Sequence, residues 1–128
     1  MTPNPKPGPV LLVDDEPGLL VGLSLILQSA GFEVLPAPDA ETARTMAESR
    51  PDISLAVLDV GLPDASGYDL CQDVRVSSDT PDLPVLFISS RRGMEEVLKG
   101  MAAGARDFLA KPFGPREFLS AVERVLAA

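Results

Sequence analysis

Five short, almost uninterrupted apolar runs alternate along this chain with longer stretches of helical period. The runs cover residues 10–14, 32–36, 53–59, 85–89 and 107–110, and each predicts a strand. Several, such as Val10-Leu11-Leu12-Val13 and Val85-Leu86-Phe87-Ile88, lack polar alternation, as strands covered on both faces do. The first predicted helix, 17–30, has Pro17 in its first turn and Gly31 just past its end. Asp39 can cap a second over 40–49, and Ser66 a third over 67–75. A fourth carries Met94, Val97, Leu98 and Met101 at helical spacing, a stripe expected to belong mainly to the core. The fifth starts at Pro115, is expected to bury Phe118, Leu119, Val122, Val125 and Leu126, and runs essentially to the C-terminus.

Five βα units in series predict one α/β domain with a parallel sheet, right-handed crossovers and helices on both faces. At 128 residues the chain has the length of one such domain. The Pro-rich residues 1–8 are expected to form a flexible arm, and 9–128 the domain. In sheets of this kind ligands bind beyond the carboxyl ends of the strands. Asp14, Asp15, Asp59, Ser89 and Lys111 all fall at predicted strand ends. A carboxylate closing a buried strand is costly unless something pairs with it.

Charge and composition narrow the chemistry. A net charge of −8 argues against direct nucleic-acid binding by this domain and against an anionic membrane surface. The acidity serves solubility, and part of it is also available to a cation. The chain has no histidine and one cysteine, so imidazole metal sites, Cys/His nucleophile pairs and an internal disulfide are excluded. Cys71 is expected to be a small core or boundary residue. No stretch reaches membrane-spanning length and the start has no apolar signal-peptide core, so the expected location is cytoplasmic.

If Asp14, Asp15 and Asp59 converge, they repel one another until a proton or a cation intervenes. An oxygen-only donor set suits Mg²⁺ or Ca²⁺, and the absence of a D-x-D-x-D-G loop favours Mg²⁺. A lysine ammonium and a hydroxyl beside such a centre suit the oxygens of a transferred phosphoryl group. A carboxylate can itself be the phosphoryl acceptor. Each residue also has an ordinary structural reading. Acids at 14–15 favour a helix N-terminus, Asp59 a turn, Ser89 a cap, Phe108 the core, and Lys111 a solvated surface.

Taken together, four segments resemble the receiver domain of two-component response regulators. They are Val10-Leu11-Leu12-Val13-Asp14-Asp15-Glu16, Asp59-Val60-Gly61-Leu62-Pro63 with Ser66-Gly67, Pro84-Val85-Leu86-Phe87-Ile88-Ser89, and Gly104-Ala105-Arg106-Asp107-Phe108-Leu109-Ala110-Lys111-Pro112-Phe113. The resemblance implies a flavodoxin-like, doubly wound (βα)5 fold with a five-stranded parallel sheet in the order 2-1-3-4-5. It implies that Asp59 is the phosphoacceptor. Asp15, Asp59 and the Gly61 carbonyl would bind Mg²⁺ directly, and Asp14 mainly through water. Ser89 would be the switch hydroxyl, Phe108 the aromatic that turns inward behind it, and Lys111 the partner of the phosphoryl group. The Lys111–Pro112 bond would be cis.

The implied partners are a sensor histidine kinase or histidine phosphotransfer protein, and a downstream protein partner or effector domain. Arg91, Arg92, Glu95 and Lys99 border the fourth-helix stripe and are available to a partner. The implied protein is no turnover enzyme, catalysing only its own phosphotransfer and autodephosphorylation. The alternatives are a phosphorylation-independent pseudo-receiver binding module and a flavodoxin-shaped phosphatase. Ser90 stands where the family usually carries alanine, and Ser89 replaces the commoner threonine, which should leave the switch intact. Gly61 and Arg91 flank the path of an attacking water and should tune the phosphorylated lifetime. The chain is expected to act alone or ahead of an effector segment.

Overall fold

Ten elements alternate strictly in the computed structural model, which describes residues 8–91 and 93–127. They are β1 (Val10–Val13), α1 (Pro17–Ser29), β2 (Val34–Ala37), α2 (Ala40–Ser49), β3 (Leu55–Asp59), α3 (Gly67–Ser77), β4 (Val85–Ser89), α4 (Met94–Ala102), β5 (Asp107–Ala110) and α5 (Pro115–Ala127). The strands form one parallel sheet in the order β2-β1-β3-β4-β5. This is the flavodoxin-like arrangement that the resemblance implies.

The apolar runs explain which strands sit in the middle. Every residue of β1, β3 and β4 is buried. Because side chains alternate across a strand, each supplies two cores at once. Leu11, Val13, Ala56, Leu58, Val85 and Phe87 pack with Ala43, Leu70, Cys71 and Val74 of α2 and α3. Val10, Leu12, Leu55, Val57, Leu86 and Ile88 pack with Leu23, Leu27, Phe118, Val122 and Val125 of α1 and α5. The edge strands β2 and β5 are only partly covered, and β2 tolerates Pro36, which has no ladder donor. Cys71 is buried and free.

Element boundaries shift where capping outweighs apolar character. Phe32 lies outside β2, because α1 ends in a Schellman arrangement. The Gly31 N–H donates to the Gln28 carbonyl at 2.9 Å and the Phe32 N–H to the Leu27 carbonyl at 3.0 Å, with Gly31 at φ +97°. Ile53 and Ser54 precede β3, and α3 continues two residues past Arg75. Of the arm expected over 1–8, residues 1–7 lie outside the described residues. The Gly8 carbonyl accepts the Ser54 hydroxyl at 2.6 Å. Arg92, offered above to a partner, and Ala128 also lie outside them.

The fourth-helix stripe is a correction. Met94, Leu98 and Met101 are exposed, whereas Val97 is half-buried and Gly100 buried. A side chain at Gly100 would crowd the rings of Phe87 and Phe108, so α4 meets the sheet through its backbone there. With Val97 and Gly100 turned to the sheet, Met94, Leu98 and Met101 are left facing outward. Apolar spacing alone gives a stripe but not the side of the helix that the sheet occupies.

Gly67 governs how β3 leads into α3. Its N–H donates to the Val60 carbonyl at 2.9 Å, and an added Cβ would run into the Asp59 carbonyl oxygen and Val60 Cα. Gly67→Ala is therefore expected to cost about 1–3 kcal/mol of overpacking, read by urea denaturation. A variant as stable as the parent would show that the segment can move aside freely.

Candidate functional site

The strand register gathers the polar strand ends into one shallow basin. Asp59 closes β3 opposite Ile88, and Ser89 closes β4 opposite Ala110. Asp14 follows β1 directly, its N–H continuing the ladder to the Ala37 carbonyl at 3.1 Å. Ligand oxygens of Asp14, Asp15 and Asp59 lie within 4.8 Å of one another. Asp14 is fully buried and Asp59 nearly so, while Asp15 is exposed.

Lys111 enters from just beyond β5. Its Nζ lies 2.8 Å from Asp14 Oδ2, 3.5 Å from Asp59 Oδ2 and 3.6 Å from Glu16 Oε1. Its backbone N–H donates to the Ser89 carbonyl at 2.7 Å, and the Lys111–Pro112 bond is cis. The buried Asp14 Oδ2 thus faces the Lys111 ammonium at close range. Asp14 Oδ1 accepts the Glu16 N–H at 2.9 Å, and Asp59 Oδ1 accepts the Gly61 N–H at 3.2 Å.

Electrostatics follow from this crowding. Burial, then repulsion from Asp14, pushes the Asp59 carboxyl above its ordinary range, against the opposing pull of Lys111. Burial by itself would lower Lys111, but Asp14, Asp59 and Glu16 outweigh it and hold the ammonium above its usual value. Among the described residues, four carboxylates face one ammonium, and the basin keeps an excess of negative charge. An oxygen-only donor set of three converging carboxylates and its excess negative charge fit a hard divalent cation.

Ser89 and Phe108 sit next to this cluster in the sheet. The buried Ser89 Oγ accepts the Arg91 N–H at 2.9 Å and keeps its own proton to donate. Phe108 is half-buried, in register with Phe87 and beside Gly100. Three residues had no role in the sequence reading. Glu16 touches Lys111, and its place next to the acid pair was a usable signal. Tyr68 meets Phe87 edge-on at 5.0 Å, and its hydroxyl lies 3.2 Å from Glu96 Oε1, joining α3 to α4. Asp64 reaches the start of α2, and no local pattern announces that contact.

Among the described residues, no helix is long and apolar enough to cross a membrane. Comparison with known proteins agrees with the geometry. A probable transcriptional regulatory protein TcrX of Mycobacterium tuberculosis is 38% identical over 94% of this chain and 50% of its own length. The transcriptional regulatory protein CreB of Escherichia coli is 40% identical over 91% of this chain and 50% of its own. The chain thus spans about half the length of these curated relatives. The solved structure of chemotaxis protein CheY4 of Vibrio cholerae superposes with a TM-score of 0.87 at 32% identity, covering 94% of this chain and all of that one. The sequence model of the response regulator receiver domain matches residues 10–123, and the chain belongs to that family.

Proposed function

We propose that Asp59 accepts a phosphoryl group from a phosphohistidine on a sensor kinase or phosphotransfer protein, and that the phosphorylated domain changes its partner preference. A carboxylate oxygen of Asp59 forms the new P–O bond as the donor's P–N bond breaks, and the released imidazole takes up a proton. Asp15, Asp59 and the Gly61 carbonyl would hold Mg²⁺, with Asp14 acting mainly through water. Bound there, the ion supplies positive charge to the phosphoryl oxygens.

The chain's own groups do the rest. Among the described residues Lys111 carries the one ammonium in the basin, and it offers this charge to a phosphoryl oxygen. Ser89 can donate its proton to another, and Phe108 can follow into the space that Ser89 leaves. The observation that carries this reading is the pairing of a nearly buried strand-end carboxylate, Asp59, with Lys111 inside the three-carboxylate cluster.

We place output on the face of α4, β5 and α5, where Met94, Leu98 and Met101 are exposed beside Glu95 and Lys99. The domain promotes only its own phosphorylation and dephosphorylation, with no turnover of other substrates. Its net charge of −8 leaves any nucleic-acid contact to an effector partner. The free thiol Cys71 accords with a cytoplasmic setting.

The test is labelling with acetyl phosphate or a purified histidine kinase in the presence of Mg²⁺. The expected product is a stoichiometric, hydroxylamine-labile acyl phosphate that does not form in EDTA. No label, or a label stable to hydroxylamine, would sink the reading.

A further inference from the structure

The segment 60–67, between β3 and α3, carries Gly61 and is tied down at both ends. At its base, Gly61 and Ser66 face each other in an antiparallel bridge. The Gly67 N–H closes the same base on the Val60 carbonyl at 2.9 Å. Near its tip, Asp64 reaches out to a different element. Its Oδ1 accepts the Ala40 N–H at 2.9 Å and its Oδ2 the Glu41 N–H at 3.0 Å, both in the first turn of α2.

The helix has its own cap as well. Asp39 accepts the Thr42 N–H at 2.8 Å, so all three leading amides of α2 have carboxylate acceptors. A carboxylate is favoured at that end of the helix field, which holds Asp64 ionised and in place. Without Asp64, α2 would keep Asp39 and water. The segment 60–67 would keep only the packing of Leu62 and Ala65 against the core beside its tip. Gly61 itself is exposed, and no atom lies within 4 Å of where its side chain would be.

We infer that Asp64 is a positioning residue for the cation centre: by clasping the N-terminus of α2 it fixes segment 60–67, so that the Gly61 carbonyl and the Asp59 carboxylate address one ion. This rests on the Mg²⁺ reading of the basin. Groups that orient ligands from outside the coordination shell typically change metal affinity about tenfold or more when removed.

The test compares Asp64→Ala, Asp64→Asn and Asp39→Ala in the full chain. Tyr68 is the single tyrosine and there is no tryptophan, so its fluorescence reports a Mg²⁺ titration close to the segment. Free Mn²⁺ counted by electron paramagnetic resonance gives an independent affinity. Asp64→Ala is expected to weaken both ions about tenfold. Asp64→Asn, which retains a carbonyl acceptor for one amide, should recover most of that loss. Asp39→Ala weakens the same helix end without touching the segment, and should leave metal affinity unchanged.

Equal losses in Asp39→Ala and Asp64→Ala, or no loss in Asp64→Ala while the parent binds Mg²⁺, would overturn the inference and leave the site reading standing. A parent that binds neither ion would instead remove the site reading. Amide exchange in the metal-free proteins then decides the clasp. Faster exchange at Gly61 and Leu62 in Asp64→Ala but not in Asp39→Ala supports it, and equal exchange refutes it.

Discussion

Replacing Asp59 by asparagine is expected to abolish the phosphoryl label and, in the same protein, to stabilise the metal-free state. The first effect follows from chemistry, because an amide oxygen does not form an acyl phosphate. The second follows from the cost of placing Asp59 where it is. Burial and the neighbouring Asp14 and Asp15 all raise its pKa, and Lys111 only partly offsets them. Asparagine keeps the shape and the acceptor for the Gly61 N–H at Oδ1, and removes the charge. Lys111 retains its closer partner, Asp14, at 2.8 Å. The gain should be about 1–2 kcal/mol, within the range of single substitutions that relieve a functional site.

The pH dependence has a definite sign. Asp59 is raised in the folded protein relative to about 3.9 in an unfolded chain. Between those two values the folded state binds more protons, so its Asp59 contribution falls as pH rises through the window. Asp59→Asn lacks that component. Its advantage in EDTA should be absent near the unfolded value, grow as pH rises through the window, and stay constant above it. Added Mg²⁺ should shrink the advantage, since the parent binds the ion more tightly. Urea denaturation in EDTA across this range is the measurement. A variant less stable than the parent at neutral pH would contradict the account of Asp59.

Much of this was legible in the sequence because the central strands are buried on both faces. Continuous apolar runs at β1, β3 and β4 left little room for another assignment, and the polar residues ending them marked the site edge. One mismatch has a local cause, and the others arose where the deciding partner is distant in sequence. Phe32 reads as a strand residue, yet its amide completes the α1 cap. The α4 stripe reads as core, yet Gly100 against Phe87 and Phe108 sets which side faces the sheet. Asp64 has no role in the sequence reading, because its acceptors serve amides 24 and 23 positions earlier. Local periodicity and capping signals carry no information about such contacts, which exist only once the elements are assembled.

Lys111→Met tests the opposite side of the same balance, and its expected effect on stability is the largest of any single change at the site. The Lys111 side chain is 13% exposed and that of Asp14 0%, so their pair is largely withdrawn from water. Removing one partner of a buried pair commonly costs about 3–5 kcal/mol, because the other charge is left uncompensated. Some of that should be recovered by proton uptake on Asp14 or Asp59, leaving a deficit of about 2–4 kcal/mol in EDTA at neutral pH. Methionine preserves most of the stem's packing, which keeps the change electrostatic. The deficit should narrow as pH falls and the carboxylates protonate, since Lys111 then has less charge to offset. Mg²⁺ should restore much of it by supplying the missing positive charge. Phosphorylation should still occur on Asp59, but about a hundredfold more slowly, as expected when one stabilising charge is withdrawn from a developing phosphoryl anion. Pairing Lys111→Met with Asp14→Asn should recover most of the stability without recovering the rate, which separates the two roles of the lysine. Unchanged stability of Lys111→Met in EDTA would mean that the ammonium does not hold the carboxylates together.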